Sequence, residues 1–406
     1  MVGDSVQDRI RSFDHHDPAV APTIHTTLAE LREAHPVARS DAYDGFYLVT
    51  KQDDIVAVAK DGQTFSAAVQ GLGAVTMVPD AETTRAPLFE SDPPVHSAWR
   101  KILHDYFTPP AVRAHEQFIR QVTDRVVDEL APRGGCEVVG DLAARIPSLV
   151  IAEVMGVPLE RQDELAALTR NLVVPPSGPD APRPGDGLVE FLRDEIAERR
   201  DREDQHDVLT AIVHAEVDGR PATDAELLKY AFLMISAGFL TTVDTISSLM
   251  LQLARDPGTR RGVAEDRALL PALIEEAVRH ESAVAATGRT VLAETTLRGV
   301  ALQPGDRLLL AWGSGCRDEQ YVDDPDAFRL DRQRRGRDLG WGAGVHRCLG
   351  MHLARLELGI VFDKVLTTIG EFEVAPGTEP TRTYGVLRGV RNLHLTWPTG
   401  AGTSAG

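Results

Sequence analysis

From Thr223 to Asp256 the chain runs without a proline and with a single glycine, Gly238, and no other stretch restricts the fold as strongly. "PATDAELL" sets Thr223 as an N-cap with Glu226 three residues on, the pattern of a capping box. Pro257 and Gly258 stop the pattern, because proline cannot continue a helix and glycine ends one readily. A helix of about 30 residues is about 45 Å long, and only a large domain can bury it. Its middle, "YAFLMISAGFLTTV" (Tyr230–Val243), carries no charge but contains Ser and Thr. That piece is shorter than the roughly 20 apolar residues of a membrane span, so it reads as core.

Helical patterning also dominates elsewhere. It predicts helices over Val112–Leu130, Leu142–Met155, Arg161–Leu172, Asp186–Arg202, Leu269–His280 and Met351–Thr368. Strand-like pieces are short: "GFYLVT" (Gly45–Thr50), "TVLAETTLRGVALQPGDRLLL" (Thr290–Leu310) and "NLHLTW" (Asn392–Trp397). The middle one reads as a hairpin with "RGV" and "PGD" as turns. "VPPSGPDAPRPGDG" (Val174–Gly187) is a Pro/Gly-rich connection between two helices, long enough for a mobile lid. Without a repeat or a splitting linker, the expectation is one domain over residues 1–406. It is mainly α with a small β portion, and 399–406 form a frayed tail.

A hydrophobic share of 43% with 26% charged residues suits a soluble enzyme with a large core. The formal charge of −18 argues against nucleic acid or an anionic membrane as partner. "MVGDSVQDRIRSFDHH" lacks the apolar run of a secretory signal. Cys136, Cys316 and Cys348 are three and widely spaced, which excludes a disulfide framework and a CxxC zinc pattern. The expected compartment is the reducing cytoplasm.

Cys348 stands in "WGAGVHRCLG" (Trp341–Gly350), among three glycines and just before a helix. A thiolate there gains from the helix dipole and free N–H groups, which lower its pKa. Packing residue, nucleophile beside His346, and metal ligand all remain open on this spacing alone.

The loop resembles the heme-binding loop of the cytochrome P-450 family, F-G-x-G-x-H-x-C-x-G in many bacterial members, with Trp341 for the usual Phe. The resemblance implies heme b (iron protoporphyrin IX) as cofactor and Cys348 as the axial thiolate on its iron. Gly342 and Gly344 would shape the loop, and Gly350 would leave space for the macrocycle. Further segments match. "EEAVRHE" holds Glu276 and Arg279 as the family's E-x-x-R, and Arg332 in "DPDAFRLDR" resembles the third member of a Glu-Arg-Arg cluster that braces the loop. "DPPVHSAWR" places His96 and Arg100 four apart on one helix face; with Arg289 and His346 they match propionate-binding positions.

"SAGFLTTVDT" resembles the family's A-G-x-(acid)-T-T. Ala237 and Gly238 would leave room for dioxygen and substrate, and Thr241, followed by Thr242, matches the threonine that hydrogen-bonds dioxygen during its activation. Leu240 departs from the pattern, which has Asp or Glu there; Asp244, one turn on, would serve protons only through water. Cys316 stands where an Asn is common and reads as a packing variant.

The implied fold sets the long central helix over a buried heme. The implied reaction inserts oxygen into a C–H bond of a hydrophobic small molecule, by hydroxylation or oxidative dealkylation. Pocket walls are expected around Gly71–Leu88, Leu168–Leu188, Phe232–Leu240, Val284–Thr287 and Tyr384–Arg388, with Leu233, Phe239, Leu240, Val284, Ala285 and Val386 facing the substrate. Electrons would come from NAD(P)H through a ferredoxin reductase and a ferredoxin docked on Arg329, Arg334, Arg335 and Arg337, Arg332 being internal. No reductase domain is expected to be fused to the chain, which is expected to act as a monomer in secondary metabolism or catabolism. The alternatives are a peroxide-using or radical-coupling enzyme of the same class, or a non-catalytic heme-binding recruitment module.

Overall fold

The computed structural model of the protein describes residues 6–69, 86–174, 185–202, 207–333, 339–383 and 385–399. They belong to two compact units. One comprises Met1–Arg100, Glu276–Cys348 and Arg382–Arg388, the other Lys101–Glu275, Leu349–Thr381 and Gly389–Gly406.

The first unit is built on a five-stranded sheet in the order Val37–Ser40, Phe46–Val49, Arg307–Leu310, Thr287–Val291, Phe65–Ser66. Strand alternation sorts its side chains. Ala38, Phe46, Leu48 and Leu309 pack with Ile10, Phe13, Leu28 and Leu31 on one face. Val37, Val49, Leu308 and Leu310 pack with Ile55, Val58, Trp312 and Leu339 on the other. Both faces are covered, so this small sheet is core rather than surface. The expected hairpin over Thr290–Leu310 is two nested pairings. Thr287–Val291 pairs with Arg307–Leu310, and Thr295–Leu297 pairs with Val300–Leu302 inside it. Arg298 and Gly299, both at positive φ, make the inner turn.

The second unit is mostly helical. Its spine is the helix Asp224–Arg255, 32 residues long, with both halves of the capping box formed. By length and composition it passes for a membrane span, yet over half of its most apolar window is buried inside the protein, as a core helix would be. Pro257 both ends it and begins another, because Asp256 caps Pro257–Glu265 by accepting from the Thr259 amide. Proline is well suited to the first helical position, where its missing N–H is not needed.

Elsewhere the expected helices are present, Met351–Thr368 with the bounds expected and the others with shifted ends, and two are interrupted. Val112–Leu130 is divided into Pro109–Arg113 and Glu116–Leu130, and Leu142–Met155 starts as a π-helical turn, Val139–Ala143, before Arg145–Met155. Most of the Val174–Gly187 connection lies outside the described residues, as does the tail beyond Thr399.

The helix Met351–Thr368 carries Glu357, 3% exposed, with Oε1 lacking a hydrogen-bond partner among the described residues. Burial pushes its carboxyl up to about 8 from 4.5. The unfolded chain therefore releases this proton before the folded protein does. Stability is highest below 4.5 with respect to this group and falls as pH rises towards 8, by up to about 1.4 kcal/mol per pH unit. Glu357→Gln is expected to flatten that fall, measured as urea unfolding free energies at pH 5.5, 6.5 and 7.5. Identical pH profiles for the two proteins would show Glu357 to be ionised in the fold.

Candidate active site

The loop of Cys348 closes on itself, the Cys348 amide donating to the Trp341 carbonyl at 2.9 Å. Gly344 has φ 68°, and a Cβ there would sit 2.2 Å from the Ala59 carbonyl oxygen at the end of the helix Gln52–Lys60. Glycine is thus required twice over, by backbone conformation and by close approach. Gly350, by contrast, faces open space, with nothing within 4 Å of where a Cβ would stand. Cys348 is half-buried and in no disulfide. The other cysteines are spent on structure. Burial, then Asp141 and Glu137, push the Cys136 thiol up to about 12, and Cys316 lies in the first unit's core.

Around the loop the first unit gathers groups that can carry positive charge. His96 and Arg100 lie on the helix Val95–Leu103, and the His96 and His346 rings are 4.4 Å apart between centroids. Arg289, 5% exposed on its strand, donates to the Gly288 carbonyl at 2.7 Å. His96 is 1% exposed, and among the described residues neither of its ring nitrogens has a hydrogen-bond partner. Burial first, then neighbouring cations, push His96 down to about 4 and His346 to about 3. Burial likewise lowers Arg289 to about 10. The carboxylate acting on His96 and Arg289 is Asp92, whose oxygens already accept from the Ser66 hydroxyl and the Ala67 amide. Sequence reasoning passed over Asp92, although it stands four residues before His96.

Orphaned buried nitrogens beside buried arginine are costly unless an anion completes them. The two propionates of heme b fit that demand, and the thiol loop beside them fits its iron. The residues present therefore suit the group.

The bracing cluster is formed. Glu276, 5% exposed, takes two hydrogen bonds from Arg279 at 2.7 and 2.8 Å, one from Arg332 at 2.8 Å and one from the Arg329 amide at 2.9 Å. Burial would raise its carboxyl, but these donors outweigh burial and hold it below the usual range. Arg279 also reaches the Cys316, Pro325 and Ala327 carbonyls, and Arg332 those of Asp323, Asp324 and Ala327. One helix turn thus ties down residues 323–332 ahead of the loop, and Gly340 packs on Val278 of the same helix.

Two of the expected wall segments are also joined. The Ala285 amide donates to the Val386 carbonyl, the Arg388 amide to that of Ala283, and Val284 pairs with Leu387. Residues 71–85 of the first expected wall, the middle of Leu168–Leu188, and Tyr384 lie outside the described residues.

On the long helix in the second unit, Ala237 is exposed, and Leu233, Leu240 and Thr241 are half-buried. The Thr241 hydroxyl donates to the Ala237 carbonyl at 2.8 Å. Three expectations change here. Phe239, expected in a wall, is fully buried, because two residues of helix turn it roughly 200° from Thr241. Thr242, expected beside Thr241, is 4% exposed and gives its hydroxyl to the Gly238 carbonyl. Gly238, expected to leave room, instead admits a neighbouring helix: a Cβ would stand 2.9 Å from Ile151 Cδ1. Asp244 is buried and ion-paired with Arg391 at 2.6 Å.

Of the residues expected to dock a ferredoxin, the exposed Arg329 pairs with Asp331 at 3.0 Å, while Arg332, expected to be internal, is committed to Glu276. Arg334, Arg335 and Arg337 lie outside the described residues.

Comparison with known proteins agrees. Residues 184–387 match the family model "Cytochrome P450". The chain is 32% identical over 366 residues to cyclomarin C epoxidase CymV of Salinispora arenicola, covering 87% of this chain and 90% of that protein. It is 32% identical over 391 residues to cytochrome P450 107B1 of Saccharopolyspora erythraea, covering 93% and 96%. The crystal structure of HmtN, a post-tailoring hydroxylase involved in himastatin biosynthesis, matches with a TM-score of 0.83 at 29% identity, over 94% of this chain and 99% of that one. Identity sustained over most of the chain, on a shared, mainly helical fold, makes this protein a member of the cytochrome P450 family of heme b monooxygenases.

Proposed function

We propose that the protein oxidises a C–H bond of a hydrophobic small molecule in secondary metabolism, with Cys348 as thiolate ligand of the heme iron. The observation that carries this reading is the buried His96, whose ring nitrogens have no hydrogen-bond partner among the described residues, set among Arg100, Arg289 and His346 beside a thiol loop braced by Glu276, Arg279 and Arg332. When bound, the heme supplies reductive activation of dioxygen, which thiolate ligation favours. The chain's own residues hold and orient. The four cation-capable groups bind the propionates, Val284, Ala285 and Val386 of the first unit present an apolar wall, and on the long helix of the second unit Thr241, with the apolar Leu233 and Leu240 on the same helix, offers a hydroxyl to dioxygen. Relatives named as an epoxidase of cyclomarin C and as a post-tailoring hydroxylase support a tailoring role. A cytoplasmic monomer fed by NAD(P)H through ferredoxin reductase and ferredoxin completes the proposal.

A second reading, peroxide as oxidant, is favoured by Leu240, which cannot hold a proton where the family pattern has an acid. Asp244 does not replace that acid simply, since its carboxylate is engaged by Arg391. Turnover driven by dioxygen with simple substrate mimics is therefore expected to be poorly coupled, releasing much of the reducing power as peroxide. Leu240→Asp is expected to raise product formed per NAD(P)H, provided the new carboxyl is not held neutral by apolar neighbours. Product per NAD(P)H and peroxide released, for both proteins and with peroxide supplied directly, separate the readings. Tight coupling in the wild type with several unrelated substrates would sink the idea, and no turnover with either oxidant would leave a binding module.

A further inference from the structure

The segment from Arg382 to Arg388 carries Val386, and its Gly385 lies close against the His16 ring. An apolar cavity of about 40 Å³, lined in part by Phe13, Leu48, Ala285, Gly385 and Arg388, lies against it. Both ends of the segment run to one carboxylate. Arg382 donates from Nη2 to Glu281 Oε1 at 3.0 Å and sets Nη1 2.9 Å from Oε2. Arg388 brings Nε to 3.5 Å from the same Oε2, while its Nη1 donates to the Ala21 carbonyl at 3.0 Å. Burial would push the Glu281 carboxyl up, but His280, Arg382 and Arg388 outweigh it and hold it well below the usual range. Between these anchors, the Ala285–Val386 and Arg388–Ala283 hydrogen bonds, both 2.8 Å, join the segment to the stretch just after Glu281.

We propose that Glu281 is a positioning residue for substrate selection: it clasps Arg382 and Arg388, and so sets where Val386 stands against Val284 and Ala285. This rests on the reading of those three residues as a substrate wall. A buried carboxylate shared by two arginines is hard to replace, because removing it strands both cations. Its loss would free the wall while leaving the thiolate loop, the Glu276 cluster and the propionate cations as they are. Glu281 should therefore govern how well a bulky ligand is held, and not whether heme is bound or its iron accessible.

The test compares wild-type holoprotein with Glu281→Gln, Glu281→Asp and Arg382→Gln, using two azoles read by their spectral shift on the heme. Imidazole is small and reports the iron alone; clotrimazole, with three aryl rings, also presses on the walls. Glu281→Gln is expected to bind clotrimazole about tenfold more weakly, with imidazole affinity unchanged. Glu281→Asp should recover part of the loss. Arg382→Gln, at a partly exposed position, should show the same split more mildly, and it decides the matter if Glu281→Gln does not fold. Amide exchange reads the positioning directly. The Ala285 and Arg388 amides should exchange about tenfold faster in Glu281→Gln, while the Gly288–Leu309 rung of the sheet is unaffected. Equal loss of both azoles would mean a general defect and overturn the proposal, as would unchanged exchange and unchanged clotrimazole binding. If the azoles gave no spectral shift even in the wild type, the heme reading would be the one at fault, and exchange at Ala285 and Arg388 would still decide the clasp.

Discussion

Replacing Cys348 by His is expected to abolish the strongly red-shifted Soret band of the reduced, carbon monoxide-bound protein while part of the heme is retained. The shift would report thiolate ligation by Cys348, and imidazole ligation lacks that electron donation. Retention follows because the propionate cations are independent of the ligand: His96, Arg100, Arg289 and His346 keep their places whatever stands at 348. Neither of the other cysteines is a substitute, Cys136 being a half-buried thiol that desolvation pushes up to about 12 and Cys316 a core residue. A normal red-shifted band in the variant would show that the ligand has been misassigned.

The second large effect belongs to Glu276. Its truncation to Ala would leave Arg279 and Arg332, with side chains 12% and 13% exposed, facing each other without the carboxylate that joins them. Stranding buried charge in this way costs about 3–5 kcal/mol. In a protein of this size that lowers the melting temperature by roughly 4–6 °C. Most of the variant is expected to be recovered without heme, because the same helix turn secures the run of chain entering the thiolate loop. Glu276→Gln should be milder and should carry a signature. The Glu276 carboxyl is held below its usual range, so its stabilisation is present above the unfolded value and is lost as pH falls through the folded one. The wild type should therefore lose stability in acid more steeply than Glu276→Gln. A melting temperature within a degree or two of wild type for Glu276→Ala would show the cluster to be ornamental.

What was legible in the sequence was chemistry confined to a few consecutive residues. The loop at Trp341–Gly350, the Glu276–Arg279 pair and the Thr223 capping box each depend on spacing within one turn or one loop. Groups whose meaning lies in a distant partner were not legible. Nothing in the sequence marks Glu281, since Arg382 and Arg388 are about a hundred residues away in the chain. Asp244, expected to serve protons only through water, is held by Arg391, 147 residues on, a partner that no local pattern shows. The errors at Phe239 and Thr242 have a different origin. A motif names consecutive residues, but a helix sends consecutive side chains in directions about 100° apart. Only part of any such motif can face one ligand.

The seat of Gly344 on the Ala59 carbonyl joins residues 285 positions apart, 344 against 59. At the 5–20 residues per second of protein synthesis, the helix Gln52–Lys60 leaves the ribosome roughly 15–60 s before the loop it will support. During that interval the nascent first unit lacks its thiol, its Glu276 cluster and two of the five strands of its sheet. Heme capture therefore belongs to the finished polypeptide, and a cell short of heme would accumulate full-length apoprotein rather than stalled fragments.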